Sequence, residues 1–211
     1  EVIGKWAAAK QDGKPANIAL LDLYNDKVVS VDYGRDQGFL TGMGIDAKDK
    51  KRNGDEAKTG NYSGGTYSIV CNEPTTGAED GGRTAMERCL TKNPAINVVY
   101  TINEPAAVGA QKALKAANVQ GALVVSIDGG CAGVQQVKDG LINATSQQYP
   151  VKMAELGVAA IKKIKTGGEK PQVTSGLDFF DTGVALVTDK PANGVQSITT
   201  GDASSICWGK K

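Results

Sequence analysis

Apolar residues recur along the chain in two spacings. A nearly all-apolar run of strand length occupies residues 17–23 and suits a strand buried on both faces of a parallel sheet, and residues 66–71, 97–101 and 122–127 also read as strands. Between them the spacing turns helical. Val2, Ile3, Trp6 and Ala9 predict a helix over residues 1–10, ended by Gly13-Lys14-Pro15. A second helix is predicted to begin at Asp36 and reach Met43, and a third to cover 79–91. Pro105 stands at a first helical position and opens a helix over 106–117. Residues 132–139 form a short helix closed by Gly140. Residues 45–62 are polar and rich in Gly, Lys and Asp, and read as a long surface insertion.

Beyond Asn143 the pattern changes. Residues 144–150 are polar and extended. Residues 150–166 form a long helix with Met153, Leu156, Val158, Ile161 and Ile164 as its apolar positions, capped by Gly167-Gly168. Residues 178–188 look strand-like, and 189–211 irregular. Strands alternating with helices give an α/β fold, a parallel sheet with helices on both faces. The helix at 150–166 finds no free surface on that sheet, which implies part of a second lobe.

Three strand-like runs lead into loops with polar clusters. Residues 24–39 carry Arg35; Asn103-Glu104-Pro105 follows the run ending at Ile102; Asp128-Gly129-Gly130-Cys131 follows Ile127. Right-handed crossovers put these loops on one edge, and ligands of open α/β sheets bind at the carboxyl ends of strands. Arg35, Asn103 and Asp128 are therefore predicted to meet in one crevice. A cationic fork, an amide that donates and accepts, and an anionic acceptor suit a neutral polyhydroxylated ligand. Each residue also has a purely structural reading. Arg35 could pair with Asp36 or Asp32, and Asp128 and Asn103 could be helix N-caps.

Composition narrows the chemistry. The chain has 211 residues and a net charge of +1, so nothing in its charge argues for nucleic acid or an acidic partner. The basic cluster at 48–52 is interrupted by an acid and reads as a solvated loop. No apolar run approaches the ~18 residues of a spanning helix. Glu1 starts within the pattern without a signal peptide, which suggests a processed or truncated product. Histidine is absent, which removes His-based triads, bases and zinc sites. Neither a G-x-G-x-x-G turn after the first strand nor a phosphate-binding P-loop occurs. Glu79, Asp80 and Glu104 have no nucleophile or metal cluster near them in sequence. No catalytic residue, cofactor or metal is expected. The four cysteines, Cys71, Cys89, Cys131 and Cys207, form no C-x-x-C pair. Their even number fits two disulfides and an exported protein, or four buried thiols in a cytosolic one; three pairings are open.

Four segments, in order, resemble periplasmic sugar-binding proteins of the ribose/fructose type that feed ABC importers. They are Arg35-Asp-Gln-Gly-Phe39, Val98-Val-Tyr-Thr-Ile-Asn-Glu-Pro-Ala-Ala107, Val125-Ser-Ile-Asp-Gly-Gly130 and Ala144-Thr-Ser-Gln-Gln-Tyr-Pro150. Ile206-Cys-Trp-Gly209 is similar to the fructose-type branch. The resemblance implies a type I periplasmic-binding-protein fold: a Rossmann-like, parallel-sheet lobe with part of a second lobe. Residues 1–146 would be the C-terminal lobe. Residues 147–185 would be the hinge and a segment returning to the N-terminal lobe, and 186–211 a tail crossing back. The first segment of the N-terminal lobe would be absent, or supplied by another chain. A pentose or hexose, with fructose favoured, would be held by Arg35, Asn103, Asp128 and, from the hinge, Gln148. The family sets an aromatic in the loop after its third strand, but residues 72–80 hold none. Tyr24, Tyr149 or Tyr100 would have to supply a ring, although Tyr100 reads better as core. The resemblance pairs Cys131 with Cys207, which leaves Cys71 for Cys89.

The function so implied is solute capture for an ABC permease, without chemistry on the sugar. The location would be periplasmic or extracellular, at the membrane-associated face, and a chemoreceptor is a compatible second partner. Two other readings compete. One is the effector lobe of a LacI-like repressor, which shares the fold but is cytosolic. The other is a nucleotide-binding α/β enzyme.

Overall fold

The computed structural model describes residues 1–209. In chain order its elements are α1 (Val2–Gln11), β1 (Ala16–Asp22), α2 (Ser30–Met43), β2 (Thr59–Tyr62), β3 (Gly65–Pro74), α3 (Glu79–Lys92), β4 (Val98–Thr101), α4 (Glu104–Ala116), β5 (Leu123–Asp128), α5 (Cys131–Lys138), β6 (Ala144–Gln147), α6 (Pro150–Lys165), β7 (Ala185–Val187) and α7 (Thr200–Ala203). One sheet holds all seven strands in the order β2-β3-β1-β4-β5-β6-β7. The five central strands are parallel. The edge strands β2 and β7 run antiparallel to their neighbours, which the expectation of a wholly parallel sheet did not include.

Strand alternation builds two cores. Ile18 and Leu20 of β1 face Trp6, Phe39 and Leu40 of α1 and α2. Ala19 and Leu21, one residue along, face Met86 and Leu114 of α3 and α4. β1 is buried on both sides, so its apolar run is continuous. Burial of each large side chain contributes about 1.5–3 kcal/mol.

Glycines let the helices come close. A Cβ at Gly109 of α4 would lie 1.9 Å from the Glu79 carbonyl, and one at Gly82 of α3 would lie 2.2 Å from the Ala106 carbonyl. The two backbones are in direct contact there.

Several boundaries differ from the sequence expectation. α2 starts at Ser30, so Arg35 lies on a helix rather than in a loop. The Asp32 carboxylate accepts the Leu23 and Tyr24 N–H groups at 2.9 and 3.0 Å, which ties the turn after β1 to the first turn of α2. The insertion at 45–62 is more than a surface loop: Ile45, Ala47, Glu56 and Tyr62 are buried, and its end forms β2. The strand expected over 178–188 shrinks to Ala185–Val187. The tail contains α7, closed by a capping box between Thr199 and Asp202. Lys210 and Lys211 lie outside the described residues. Tyr100 is fully buried and stacks on Phe39 at 5.0 Å, so it offers no ring to a ligand.

Both disulfides are present, Cys71–Cys89 and Cys131–Cys207. The second fixes the tail to the start of α5. Trp6 Nε1 donates to the Lys190 carbonyl at 2.8 Å and fixes it to α1 as well. α6 stands apart, with no buried residue.

Three measurements test this packing. Gly109→Ala should destabilise the chain in urea unfolding by about 2 kcal/mol or more, since neither backbone can yield. Gly34→Ala, an exposed helix position with nothing within 4 Å, should stabilise it by about 0.5–1 kcal/mol. Selective loss of Cys131–Cys207, whose partners are 76 residues apart, should cost about 4 kcal/mol, more than loss of the 18-residue Cys71–Cys89 span at about 3 kcal/mol.

Candidate functional site at the carboxyl ends of the strands

Asp128 ends β5 with φ 137°, a value unusual for a residue with a side chain. The backbone there turns sharply, and Gly129 follows at φ 66°. A Cβ on Gly129 would sit 2.3 Å from Gln147, so only glycine fits against β6. The turn aims the Asp128 carboxylate at α2. Arg35 Nη2 meets Asp128 Oδ1 at 3.0 Å, and Arg35 Nη1 donates to the Ile102 carbonyl at 2.8 Å. Gln148 Nε2 donates to the same Asp128 oxygen at 2.8 Å. The Arg35 and Asp128 side chains keep 19% and 17% of their surface open to solvent. Burial raises the Asp128 pKa, while Arg35 and Gln148 pull it back down.

Three of the four sequence-predicted residues therefore converge. Arg35 pairs with Asp128 across 93 positions of sequence, not with Asp32 or Asp36. Asp128 is no N-cap, because Gly130 holds that position for α5. Asn103 is one: its Oδ1 accepts the Ala106 N–H at 3.1 Å, and its Nδ2 donates to the Gly77 carbonyl at 2.9 Å. It joins the cluster only through its neighbour Ile102. Its amide still has a second N–H and a second lone pair to offer. Tyr24 and Tyr149 are half-buried at the same end of the sheet.

Glu104 lies beneath this cluster, and sequence reasoning missed its role. Its Oε1 accepts the Gly129 N–H and the Thr145 hydroxyl, both at 2.8 Å. Its carboxyl occupies the space that a Cβ on Gly133 would take. Burial pushes its pKa up to about 7, and the bonds from Thr145 and Gly129 only partly offset that. From above, Trp208 Nε1 donates to the Asp128 carbonyl at 3.2 Å. Cys131 N–H donates to the Trp208 carbonyl at 2.9 Å. An acid in the first turn of a helix normally reads as solvent-facing, so nothing in Asn-Glu-Pro marks Glu104 as buried.

A second polar group lies under the other half of the sheet edge. Asp22 and Asp36 are both fully buried. Burial and the Asp32 carboxylate push Asp22 up to about 8, with the Asn72 and Asn53 amides opposing; burial and Asp22 raise Asp36 as well. A cavity of about 370 Å³ opens beside them, lined by Tyr24, Asp32, Tyr33, Arg52, Asn53 and Asn72 among others. Asp22 was visible as a lone charge in an apolar run, and that was the available signal.

Glu104 makes stability depend on pH. Its folded pKa of about 7 exceeds its ordinary 4.5, so the unfolded chain releases this proton first. Stability should therefore fall as pH rises from 4.5 to 7 and level off above. This group's share is about 3 kcal/mol. Denaturant unfolding at pH 5 and pH 8 should show that share disappearing in Glu104→Gln.

The chain is similar to known proteins over most of its length. Residues 1–170 match a family model described as a periplasmic binding protein domain. The ribose import binding protein of Salmonella typhimurium strain LT2 is 31% identical over 113 residues, 54% of this chain and 38% of that protein. The chain thus spans well under two thirds of this curated relative. Among solved structures, a periplasmic solute binding protein of Actinobacillus succinogenes with bound D-allose superposes with a TM-score of 0.67 at 22% identity, covering 89% of this chain and 58% of that one. The arabinose transporter component of Shewanella sp. ANA-3, bound to L-arabinofuranose, gives 0.62 at 25% identity, covering 81% and 51%. With the sheet order, the polar edge and the matched residues in agreement, the chain belongs to the periplasmic binding protein domain family.

Proposed function

We propose that this chain forms one wall of a monosaccharide site in the solute-binding component of an ABC-type importer. The Asp128 cluster carries this reading. A guanidinium, a carboxylate and an amide meet at the strand ends, partly open, with acceptors and donors in reach of a sugar's hydroxyls. The names of the relatives support it: they bind ribose, D-allose or L-arabinofuranose.

Arg35 grips two neighbouring sugar oxygens with the fork that now spans Asp128 and Ile102. Asp128 accepts from two hydroxyls, Gln148 reaches in from the crossing segment, and Asn103 uses the remaining capacity of its amide. Arg35, Asp128 and Gln148 already hold one another, so little order is lost on binding. The bound sugar is a pentose or hexose, and fructose is the first to test. Residues 147–185 supply the hinge and a returning segment of a second lobe, which closes over the sugar by hinge bending. The exposed apolar side chains of α6, with Val158 67% and Ile161 69% open, support this lobe assignment. The closed form presents a surface to a membrane permease, and a chemoreceptor would read the same surface. Two disulfides fit a periplasmic or extracellular site of action.

The single lobe should bind weakly, so the test is a spectroscopic titration. D-fructose, D-ribose, L-arabinose, D-xylose and D-glucose are added to the chain while backbone amide signals are followed. One sugar should move the amides of residues 102–104, 128–130 and 147–149, and Arg35→Ala should weaken that binding by roughly a hundredfold. Silence from every sugar would sink the proposal. Shifts confined to other surfaces would sink it too.

A further inference from the structure

The polar atoms beneath the cavity at residues 24–33, 52–54 and 72 are out of balance. Asp22 is fully buried, and neither of its carboxylate oxygens has a partner. Asp36, also fully buried, lies within hydrogen-bonding reach of Asp22, and its Oδ1 is unpartnered. Its Oδ2 accepts from Gln37 Nε2 at 2.9 Å, which brings the Gln37 amide to the same place. Gln37 is 2% exposed, and its Oε1 has no donor. Asn53, whose amide borders Asp22, likewise leaves a buried Oδ1 unpartnered. The orphans are mainly acceptors; Asn72 Nδ2 and the Tyr100 hydroxyl are the unpartnered donor groups beside them.

Nearby charges do not redress this. Asp32 is satisfied by two backbone N–H groups. Glu56 holds Lys58 at 3.1 Å. Arg35, next along α2, is committed to Asp128. Among the described residues, no ion pair reaches Asp22 or Asp36. Two buried carboxylates together, with orphaned neutral oxygens around them, call for a positive charge.

We infer that Asp22, Asp36, Gln37 and Asn53 form a binding site for a hard cation of the calcium class, reached through the adjoining cavity. All the ligands are oxygens, as calcium prefers, and of the four only Asn53 lines the adjoining cavity, the side from which water would complete the shell. Softer metals find nothing here, since the chain has no histidine and its cysteines are in disulfides. Among the described residues no three Cys, Asp or Glu side chains gather closely enough to hold a metal by themselves. The proposed set therefore has two carboxylates and draws its remaining ligands from amides. That is why sequence spacing predicts no metal. Asn53 and the Arg52 carbonyl, which accepts from Gln37 at 2.9 Å, come from the insertion. Asp22 comes from β1 and Asp36 from α2. A cation here would clip the insertion onto the sheet and steady the helix that carries Arg35.

The test is thermal unfolding of the full chain at pH 7.5 after treatment with a chelator. CaCl2 should raise the midpoint by roughly 5–10 °C at a hundredfold excess over its Kd. NaCl at equal ionic strength should not. Asp22→Asn should abolish most of the shift. Asn53→Ala, on a half-exposed loop position that tolerates change, should reduce it. A calcium shift unchanged in both variants would place the cation elsewhere and overturn the inference. It would also be overturned if no divalent ion raises the midpoint at pH 7.5. Asp22 and Asp36 would then share a proton instead.

Discussion

One carboxylate organises the carboxyl edge of this sheet. Asp128 receives Arg35 from α2 and Gln148 from the crossing segment on one oxygen, and its backbone carbonyl receives Trp208 from the tail. Three stretches of chain far apart in sequence are referenced to that residue. The anion is held where burial disfavours it, by donors that reach it from α2 and from the segment after β6. Removing Arg35 would leave a half-buried charge with one amide for company, a loss larger than the pair's net worth. The interaction therefore fixes geometry more than it adds stability.

Beneath it the support is stiff for a different reason. Glu104 fills the space left by Gly133 and ties the Asp128–Gly129 turn to β6 through Thr145. α3 and α4 touch backbone to backbone at Gly82 and Gly109. Close contact without intervening side chains leaves no slack, so the N-terminus of α4, and with it Asn103, is placed by main-chain contact. The tail closes the arrangement through Cys131–Cys207 and the Trp6–Lys190 bond.

The parts legible in sequence were those set by local pattern. Largely apolar runs marked β1, β4 and β5, because strands covered on both faces need no alternation, whereas β3 is buried at every second position. Their order predicted that Arg35, Asn103 and Asp128 would meet, which holds for Arg35 and Asp128, while Gln148 came only from the family resemblance. The start of α2 was not legible: Ser30 begins it with no side-chain cap, and the anchoring bonds come from Asp32 to Leu23 and Tyr24, a tertiary contact. β7 was overextended, because the apolar side chains of Phe179, Phe180 and Val184 remain exposed. Glu104 and Asp36 escaped for a related reason. Charged residues on helices are read as outward-facing, and only the packed structure shows which ones turn in.

The antiparallel pairing of β6 with β7 has a further consequence. Gln147 and Ala185 are register partners, so the chain leaves the sheet and re-enters it at adjacent positions. The two crossings run about 4.8 Å apart, the spacing of neighbouring strands. Everything from Pro150 to Val184 is in effect an insert spliced into a hairpin. A short turn could replace it without disturbing the seven-stranded order. The sheet and the excursion are joined at a seam one strand-spacing wide.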